Sequence, residues 1–280
     1  MNLFNFHTHT FYCDGKANPE AFIIEAIRKE MTAIGFSSHS PLPSENNYSI
    51  HKDKLPAYKR ELTDLQKKYG DKINIFIALE FDYIPGISDD FGNLTRQFEL
   101  DYAIGSVHLV KNLHSEKLWF IDGPEANYAK GIAEIFDNDA KKAVTTYFEQ
   151  LCEMIRIQKP DIIGHIDKVK MHNKNRFFSE EEQWYKKLIT KTLKTALSSG
   201  SIIEVNTRGI YRKLSESLYP GIDVLKEIFQ MGIPITISSD AHHPDELTAY
   251  FPETLAILKN IGFQSVKSFN GKNWVNIPLK

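Results

Sequence analysis

Two histidines separated by one residue, His7 and His9, follow an apolar, strand-like stretch at the N-terminus. Residues i and i+2 of a strand point to the same side, about 6.6 Å apart at a rise of about 3.3 Å per residue. Two imidazoles placed in this way can bind one metal ion, since histidine is the commonest metal ligand. The same spacing returns in Asp240-Ala241-His242. Taken alone, the first pair is equally compatible with a strand that happens to carry two histidines.

Further side chains of metal-ligand type come directly after other apolar, strand-like segments. The residues in these positions are His39, Glu80, His108, His165 and Asn206. In α/β barrels the active site lies at the carboxyl ends of the strands, so we expect these side chains to meet there. Asp14, in the turn after the first strand, is a further candidate ligand, or else an Asx-turn residue before Gly15.

Several of these residues have a purely structural alternative. His39 can cap a turn, whereas a lone carboxylate such as Glu80 is costly to bury unless it has a partner. The loop histidines His51, His114 and His172 are expected to be solvated or to form ordinary hydrogen bonds.

The segments that must position the candidate ligands alternate between strands and helices. Short apolar runs predict strands at 2–8, 33–38, 73–79, 102–107, 161–164, 201–205 and 234–239. Helices are expected over 19–27, 55–69, 138–158, 179–199, 221–231 and 252–261. Asn18-Pro19-Glu20 is typical of a helix start, and Ser179 with Glu182 predicts a capping box. We expect loops at 40–53 and 84–97, an insertion with mixed turns and a short helix at 110–137, and a terminal strand near 265–269.

Seven strand–helix units of this kind predict a parallel sheet covered by helices. Their number favours an α/β barrel over an open, doubly wound sheet. No glycine-rich phosphate loop follows the first strand, which argues against nucleotide binding. Because no linker or low-complexity segment interrupts the pattern, we expect residues 1–280 to form a single domain.

The composition is that of an ordinary globular protein. Of its 280 residues, 42% are hydrophobic and 25% charged, and the net charge is −2. This balance gives no reason to expect nucleic-acid or membrane binding. With only Cys13 and Cys152, no signal peptide and no long apolar run, we expect a cytoplasmic protein without disulfides.

The mixture of histidine and carboxylate ligands suits zinc, iron or manganese better than calcium. About nine candidate ligands are too many for one ion and enough for two or three.

At this point the sequence resembles the polymerase and histidinol phosphatase (PHP) superfamily, and within it the histidinol-phosphatase branch. The stretches that carry the resemblance are Gly35-Phe36-Ser37-Ser38-His39-Ser40-Pro41-Leu42-Pro43, Ile104-Gly105-Ser106-Val107-His108, Gly164-His165-Ile166-Asp167, Glu204-Val205-Asn206-Thr207-Arg208-Gly209 and Ser238-Ser239-Asp240-Ala241-His242. The resemblance spans the whole chain. It implies a distorted, TIM-like (β/α)7 barrel with a trinuclear metal site.

Carried over by position, the resemblance also implies which residues bind each ion. The first set is His7, His9, Glu80 and Asp240; the second is Asp14, His39 and His242; the third is Glu80, His108 and His165, with Glu80 bridging. Relatives often carry histidine where this chain has Asp14. Aspartate is a competent but harder ligand, so this departure bears on the identity of the second metal.

Such a site suits the hydrolysis of phosphomonoesters. Three divalent ions and three carboxylates leave a net charge of about +3, which attracts a phosphate dianion. Metals about 3.5–4 Å apart can bridge a hydroxide, lower its pKa and clamp the phosphoryl oxygens for in-line attack. Asp240, His242 and Glu80 are accordingly the expected catalytic residues, and Asp240 and His243 are the candidates for the general acid.

Three cations are expected to bind the phosphate. Arg208 and Arg212 follow the sixth strand and could act as bidentate donors, and Lys168 follows His165. The alternative for each is an ordinary surface cation.

The preferred hypothesis is a metal-dependent phosphatase that converts L-histidinol phosphate to L-histidinol and phosphate in histidine biosynthesis. The substrate rests on the resemblance alone. The alternatives are another phosphoesterase of the superfamily, acting on small monoesters or nucleic-acid ends, and a non-catalytic metal-binding barrel. The absence of a basic patch argues against nucleic acid, and the retention of every ligand position argues against a non-catalytic role. The expected partner is a small phosphomonoester, and the oligomeric state is open.

Overall fold

Seven short parallel strands form one sheet in the computed structural model, which describes residues 3–43 and 46–279. They are β1 (Phe4–Asn5), β2 (Ala33–Phe36), β3 (Asn74–Asp82), β4 (Tyr102–Ser106), β7 (Ile162–Ile163), β8 (Ile202–Asn206) and β9 (Ile235–Ser238). Two hairpins lie outside the sheet, namely β5 (Leu109–Lys111) with β6 (Leu118–Phe120), and β10 (Ser265–Phe269) with β11 (Trp274–Pro278). The seven strands are almost entirely buried, because a parallel sheet in an α/β fold is covered on both faces.

The sheet closes beside the first pair of candidate ligands. Thr8 and Ala241 form a parallel bridge between the segments that follow β1 and β9. The backbone N–H of His9 donates to the Ala241 carbonyl at 2.8 Å, and that of Ala241 donates to the His7 carbonyl at 3.1 Å. The result is a nearly closed barrel of seven parallel strands, which confirms the predicted (β/α)7 fold.

Helices cover the outside of the barrel. They are α1 (Pro19–Arg28), α2 (Leu55–Tyr69), α3 (Phe91–Gln97), α4 (Glu125–Ile135), α5 (Ala140–Gln158), α6 (Gln183–Ser199), α7 (Arg208–Tyr211), α8 (Ile222–Met231) and α9 (Phe251–Ile261). The predicted start of α1 is confirmed, since the Asn18 side chain accepts a hydrogen bond from Ala21 N at 2.9 Å. Within the described residues, no helix is long and apolar enough to cross a membrane.

Two predictions about helices are wrong. The segment 84–97, predicted as a loop, contains α3, which begins after Asp90. The pair Ser179 and Glu182 does not open α6 as a capping box. The Glu182 carboxylate accepts a bond from Ser179 N at 3.2 Å, but the helix begins only at Gln183, so the pair closes a turn ahead of it.

Other differences concern the strands and the insertion. Strand β3 extends to Asp82, so Glu80 lies inside the strand rather than after its end. The predicted insertion at 110–137 holds most of the β5–β6 hairpin together with α4, and neither α7 nor β11 was expected. Asn2 of the predicted first strand and residues 44–45 of the predicted loop lie outside the described residues.

An aromatic cluster packs the C-terminal hairpin against β4 and the segment that follows β1. The Trp274 ring packs edge-on against Phe6 and Tyr102, with ring centroids 5.3 and 5.6 Å apart. The Tyr102 hydroxyl donates to the Phe6 carbonyl at 2.5 Å. Because Phe6 directly precedes His7, this packing also positions the first candidate ligand.

Candidate metal centre

The nine predicted metal ligands lie together at the carboxyl end of the barrel. They are His7, His9, Asp14, His39, Glu80, His108, His165, Asp240 and His242. Seven are buried, whereas the side chains of Asp14 and His242 are 31% and 11% exposed and face the opening.

Glu80 is the centre of the group. Its Oε2 lies 3.1 Å from His39 Nδ1, 3.2 Å from His7 Nε2 and 3.4 Å from His9 Nε2, and its Oε1 lies 3.0 Å from His165 Nε2 and 3.6 Å from His108 Nε2. One carboxylate therefore contacts five histidines from four segments of the barrel, as a bridging ligand must.

Asp240 completes the inner side of the group. Its Oδ1 is 3.2 Å from His9 Nε2 and 3.8 Å from His7 Nε2. Its backbone is left-handed, with φ of 51°, a conformation that non-glycine residues adopt at a cost. The Asp240 carbonyl accepts hydrogen bonds from Arg208 Nη1 at 3.0 Å and the Tyr211 hydroxyl at 3.4 Å, which hold this conformation.

Asp14, at the position where relatives often carry histidine, lies at the opening of the site. Its Oδ2 is 3.2 Å from His242 Nε2, and its Oδ1 is 3.9 Å from His39 Nε2 and 3.8 Å from His9 Nδ1. The three residues of the predicted second set are therefore brought together.

Three groups of donor atoms are close enough to hold a metal ion. They are His9 with Asp14, His39 and His242; His7 with His9 and Asp240; and His39 with Glu80 and His108. The groups share His9 and His39, so they overlap with the predicted sets without matching them residue by residue. His165 belongs to none of the three, although its Nε2 is 3.2 Å from His108 Nε2.

Burial and the neighbouring charges together determine the pKa values of these ligands. Burial lowers the pKa of His9 and of His39 to about 4, so both are neutral at pH 7. Burial opposes the charged form of Glu80 and Asp240 too, but the nearby histidines outweigh it and hold both pKa values well below the ordinary range. For His7, burial is outweighed by the surrounding carboxylates, first of all Glu204, and the pKa is raised well above its ordinary value.

The donor atoms also lack other partners. Among the described residues, buried atoms without a hydrogen-bond partner include His7 Nε2, His9 Nε2, Asp14 Oδ1, His39 Nδ1 and Asp240 Oδ1. Buried polar atoms normally have partners, and leaving them without one is costly. Each of these atoms faces other candidate ligands, so the donor set fits divalent cations.

A buried carboxylate that the sequence interpretation missed, Glu204, supports two of the ligands. Its Oε1 lies 2.6 Å from His7 Nδ1, and its Oε2 accepts a bond from the backbone N–H of His165 at 2.8 Å. A carboxylate on the outer nitrogen fixes the tautomer that leaves the other nitrogen free for metal. The signal was a carboxylate within the apolar run Ile202-Ile203-Glu204-Val205, the same signal that identified Glu80.

Asp82 lies near Nδ1 of His108, although that nitrogen has no hydrogen-bond partner among the described residues. Its Oδ1 accepts a bond from the His108 backbone N–H at 2.9 Å, and its Oδ2 lies 3.4 Å from His108 Nδ1. The Tyr48 hydroxyl donates to Oδ2 at 3.1 Å. The sequence signal was its position two residues after Glu80, on the same face of β3.

The structure brings two of the three predicted phosphate ligands to the site. Lys168, 4% exposed, places Nζ 4.0 Å from Asp240 Oδ2, and Arg208 bonds the Asp240 carbonyl. The Arg212 side chain is 54% exposed and ends on Glu246 at 3.3 Å. Among the described residues, Arg212 forms no hydrogen bond or ion pair with a candidate metal ligand.

The remaining histidines lie outside the cluster. His51 and His114 are exposed, and the buried His172 hydrogen-bonds the Gly123 carbonyl through Nε2 at 2.8 Å. His243 is half exposed, and its Nδ1 accepts a bond from Asp245 N at 3.3 Å.

Sequence comparison finds a matching family model and relatives that align along most of the chain. Residues 5–208 match the family model of the PHP domain. A Schizosaccharomyces pombe protein named "Probable histidinol-phosphatase" is 27% identical over 277 residues, covering 93% of this chain and 86% of that protein. A Bacillus subtilis protein named "Histidinol-phosphatase" is 24% identical over 254 residues, covering 86% of this chain and 94% of that protein.

Solved structures share the fold. The histidinol phosphate phosphatase of Lactococcus lactis, crystallised with zinc, L-histidinol and phosphate, has a TM-score of 0.72 at 20% identity, covering 98% of this chain and 99% of that chain. A crystal structure from Listeria monocytogenes has a TM-score of 0.74 at 20% identity, covering 89% of this chain and 99% of that chain. At this level of identity, the similarity shows a shared barrel.

Proposed function

The chain belongs to the PHP domain family, and we propose that it is a metal-dependent histidinol-phosphatase, hydrolysing L-histidinol phosphate to L-histidinol and phosphate. The observation that carries this proposal is the convergence of nine ligand-type side chains around Glu80, with buried donor atoms that have no other partner. The substrate is supported by the names of relatives that align along most of the chain.

The nine side chains would hold two or three divalent ions, of zinc, iron or manganese. Zinc in the Lactococcus lactis structure supports the first of these metals. When bound, the ions would supply positive charge that polarises the phosphoryl group and lowers the pKa of a nearby water. Glu80 would orient the ligand histidines of several strands at once, and His242 would close the open side of the site beside Asp14.

The chain's own cations would orient the phosphate. Lys168 and Arg208 both lie against Asp240, one at its carboxylate and one at its carbonyl, so a phosphate dianion next to Asp240 would meet both positive charges. Asp240 is the better candidate for proton transfer, because His243 is half exposed and occupied with capping a turn. One Asp240 oxygen would accept the proton of the attacking water and return it to the leaving oxygen.

The test measures phosphate release by the purified protein. The metal content is determined on protein purified without added metal. L-histidinol phosphate is compared with unrelated phosphomonoesters and with DNA carrying terminal phosphates. We expect kcat/KM for L-histidinol phosphate to exceed all others by at least about 100-fold, as transition-state discrimination through buried polar contacts allows. Comparable rates on all monoesters would refute the assigned substrate, and hydrolysis confined to DNA ends would favour the alternative phosphoesterase.

A further inference from the structure

The Glu246 carboxylate contacts the loop that carries the last pair of candidate ligands, Asp240 and His242. Its Oε2 accepts hydrogen bonds from the backbone N–H groups of His242, at 2.8 Å, and of His243, at 3.1 Å. Glu246 ends the 3₁₀ turn Pro244–Glu246, and its side chain is 14% exposed. A carboxylate that accepts bonds from two successive N–H groups fixes the backbone at the residue that carries a ligand side chain.

Two arginines, one at the start of α7 and one directly after it, hold this carboxylate. Arg212 Nη1 is 3.3 Å from Glu246 Oε1, and Arg208 Nη1 is 3.7 Å from Glu246 Oε2. Arg208 Nη1 also donates to the Asp240 carbonyl at 3.0 Å, so the same guanidinium contacts both Glu246 and the first ligand of the loop. Arg212, which the sequence predicted as a phosphate ligand, therefore pairs with the carboxylate that holds the loop.

The backbone of the loop determines the direction of the His242 ring. His242 Nδ1 lies 3.0 Å from the Asp240 carbonyl oxygen. Because a carbonyl oxygen only accepts hydrogen bonds, Nδ1 carries the proton of the neutral ring in this contact. Nε2 is then the nitrogen that is free for metal, and it lies 3.2 Å from Asp14 Oδ2. A movement of the backbone between Asp240 and His242 would turn this nitrogen away from the site.

We propose that Glu246 is a positioning residue, which holds Asp240 and His242 in place as metal ligands by accepting the two backbone N–H bonds of the loop. This inference rests on the proposed function and deepens it. The left-handed backbone of Asp240 supports it, because such a conformation persists only where the surrounding structure fixes it. The effect depends on the reach of the Glu246 side chain to both N–H groups, and its negative charge is secondary.

Two substitutions separate the reach of Glu246 from its charge. Glu246→Asp keeps the charge but shortens the side chain by one methylene, whereas Glu246→Gln keeps the length, and its amide oxygen can accept both backbone bonds. We expect Glu246→Asp to weaken the binding of at least one zinc ion about 10- to 100-fold, the range for residues that orient metal ligands. Glu246→Gln should stay within about fivefold of the wild type, because the ion pair that it loses with Arg212 is half exposed and contributes little.

The zinc affinity of the full chain is measured on metal-free protein by competition with a chromophoric chelator. Glu182→Asp is the matched control, since Glu182 also accepts a backbone N–H bond, from Ser179 at 3.2 Å, but in the turn ahead of α6. This control should leave the zinc affinity unchanged. Thermal unfolding of each metal-free variant shows that the fold is intact, and phosphate release from L-histidinol phosphate is measured on the same preparations.

The possible outcomes separate this inference from the proposed function. Unchanged zinc binding in Glu246→Asp would show that Glu246 does not position the ligands, and equal losses in both variants would show that its charge matters instead of its reach. Either result overturns the inference. If the wild type binds zinc but releases no phosphate from L-histidinol phosphate, the proposed function is wrong, and the zinc affinities of the two variants still decide the inference.

Discussion

Glu204→Gln would test whether the buried carboxylate behind the metal cluster determines which nitrogen of His7 is free. Glu204 Oε1 accepts hydrogen bonds from His7 Nδ1 at 2.6 Å and from the Ser238 hydroxyl. Oε2 accepts bonds from His165 N at 2.8 Å and Asn206 Nδ2 at 3.1 Å. Glutamine has nearly the same shape, but it replaces one of the two acceptor atoms with a donor.

Both orientations of the new amide are unfavourable: one lowers the stability of the fold and the other lowers the affinity for metal. If the NH2 group replaces Oε2, it faces the N–H of His165 and the NH2 of Asn206, and two buried donors lose their acceptor. At about 1–3 kcal/mol for each unsatisfied group, the free energy of unfolding should fall by about 2–6 kcal/mol. If the NH2 group replaces Oε1, it donates to His7 Nδ1 and places the His7 proton on Nε2, the atom that faces Glu80 and Asp240. Metal affinity should then fall about 10- to 100-fold, as for other partners of metal-bound histidines.

The assay measures both quantities on the same preparations. Metal affinity is obtained by competition with a chromophoric chelator, and stability by urea unfolding of the metal-free protein. Glu227→Gln is the matched control, since that carboxylate accepts a single bond from the Thr190 hydroxyl on the outside of the barrel. A Glu204→Gln protein with both the metal affinity and the stability of the wild type would refute the argument.

Three further predictions concern the ligands and the core. His242→Ala should lower kcat by at least about 100-fold and reduce the metal content, since a ligand should matter at least as much as an outer partner; full turnover with full metal content would contradict the site. Metal-free protein should lose stability as the pH falls from about 6.5 to about 4, because the unfolded chain binds protons that His9 and His39 in the folded state, with pKa values of about 4, do not. Urea unfolding should show a loss of up to about 3 kcal/mol per histidine, and a flat profile would contradict it. Gly35→Ala should destabilise the fold by about 1–3 kcal/mol, because its Cβ would lie 1.9 Å from the Tyr102 hydroxyl oxygen; an unchanged melting temperature would exclude this clash.

The convergence of the ligand side chains could be predicted because it follows from topology. In a parallel barrel, every strand delivers its carboxyl end to the same rim, so residues distant in sequence become neighbours there. His108 and His165 are 57 positions apart in the chain, yet their Nε2 atoms are 3.2 Å apart. An apolar run that ends in a histidine is visible in the sequence, and the topology of the barrel then predicts that such histidines meet at one rim.

The assignment of donors to individual ions could not be predicted in the same way. His9 and His39 each belong to two of the three donor groups, because each imidazole has two nitrogens and its ring orientation selects the neighbours. The periodicity of a strand fixes which face a side chain is on, but not its rotation about the side-chain bonds. Residue type and spacing therefore predict membership of the cluster better than the sets within it.

Helix α3 escaped prediction because tertiary packing stabilises it. A helix of seven residues is too short to be stable from its own hydrogen bonds. Its first residue, Phe91, stacks on Phe81 of β3 with ring centroids 4.6 Å apart, and Asp90 caps it by accepting a bond from Asn93 N at 2.6 Å. The cap is a local signal, but the aromatic contact joins segments whose proximity depends on the fold.

Thr8 and Ala241, each of which lies between two candidate ligands, link the closure of the barrel to the metal site. Thr8, between His7 and His9, pairs with Ala241 through two backbone hydrogen bonds that join the first and last strands of the sheet. Side chains alternate along a strand, so the residues on either side of this bridge both face the barrel interior. A shift of one residue in this pairing would turn every one of these ligands away from the site. The contact that closes the sheet therefore also sets the register of four candidate ligands, which are His7, His9, Asp240 and His242. Once the barrel is closed at this bridge, the first and last ligand pairs face each other.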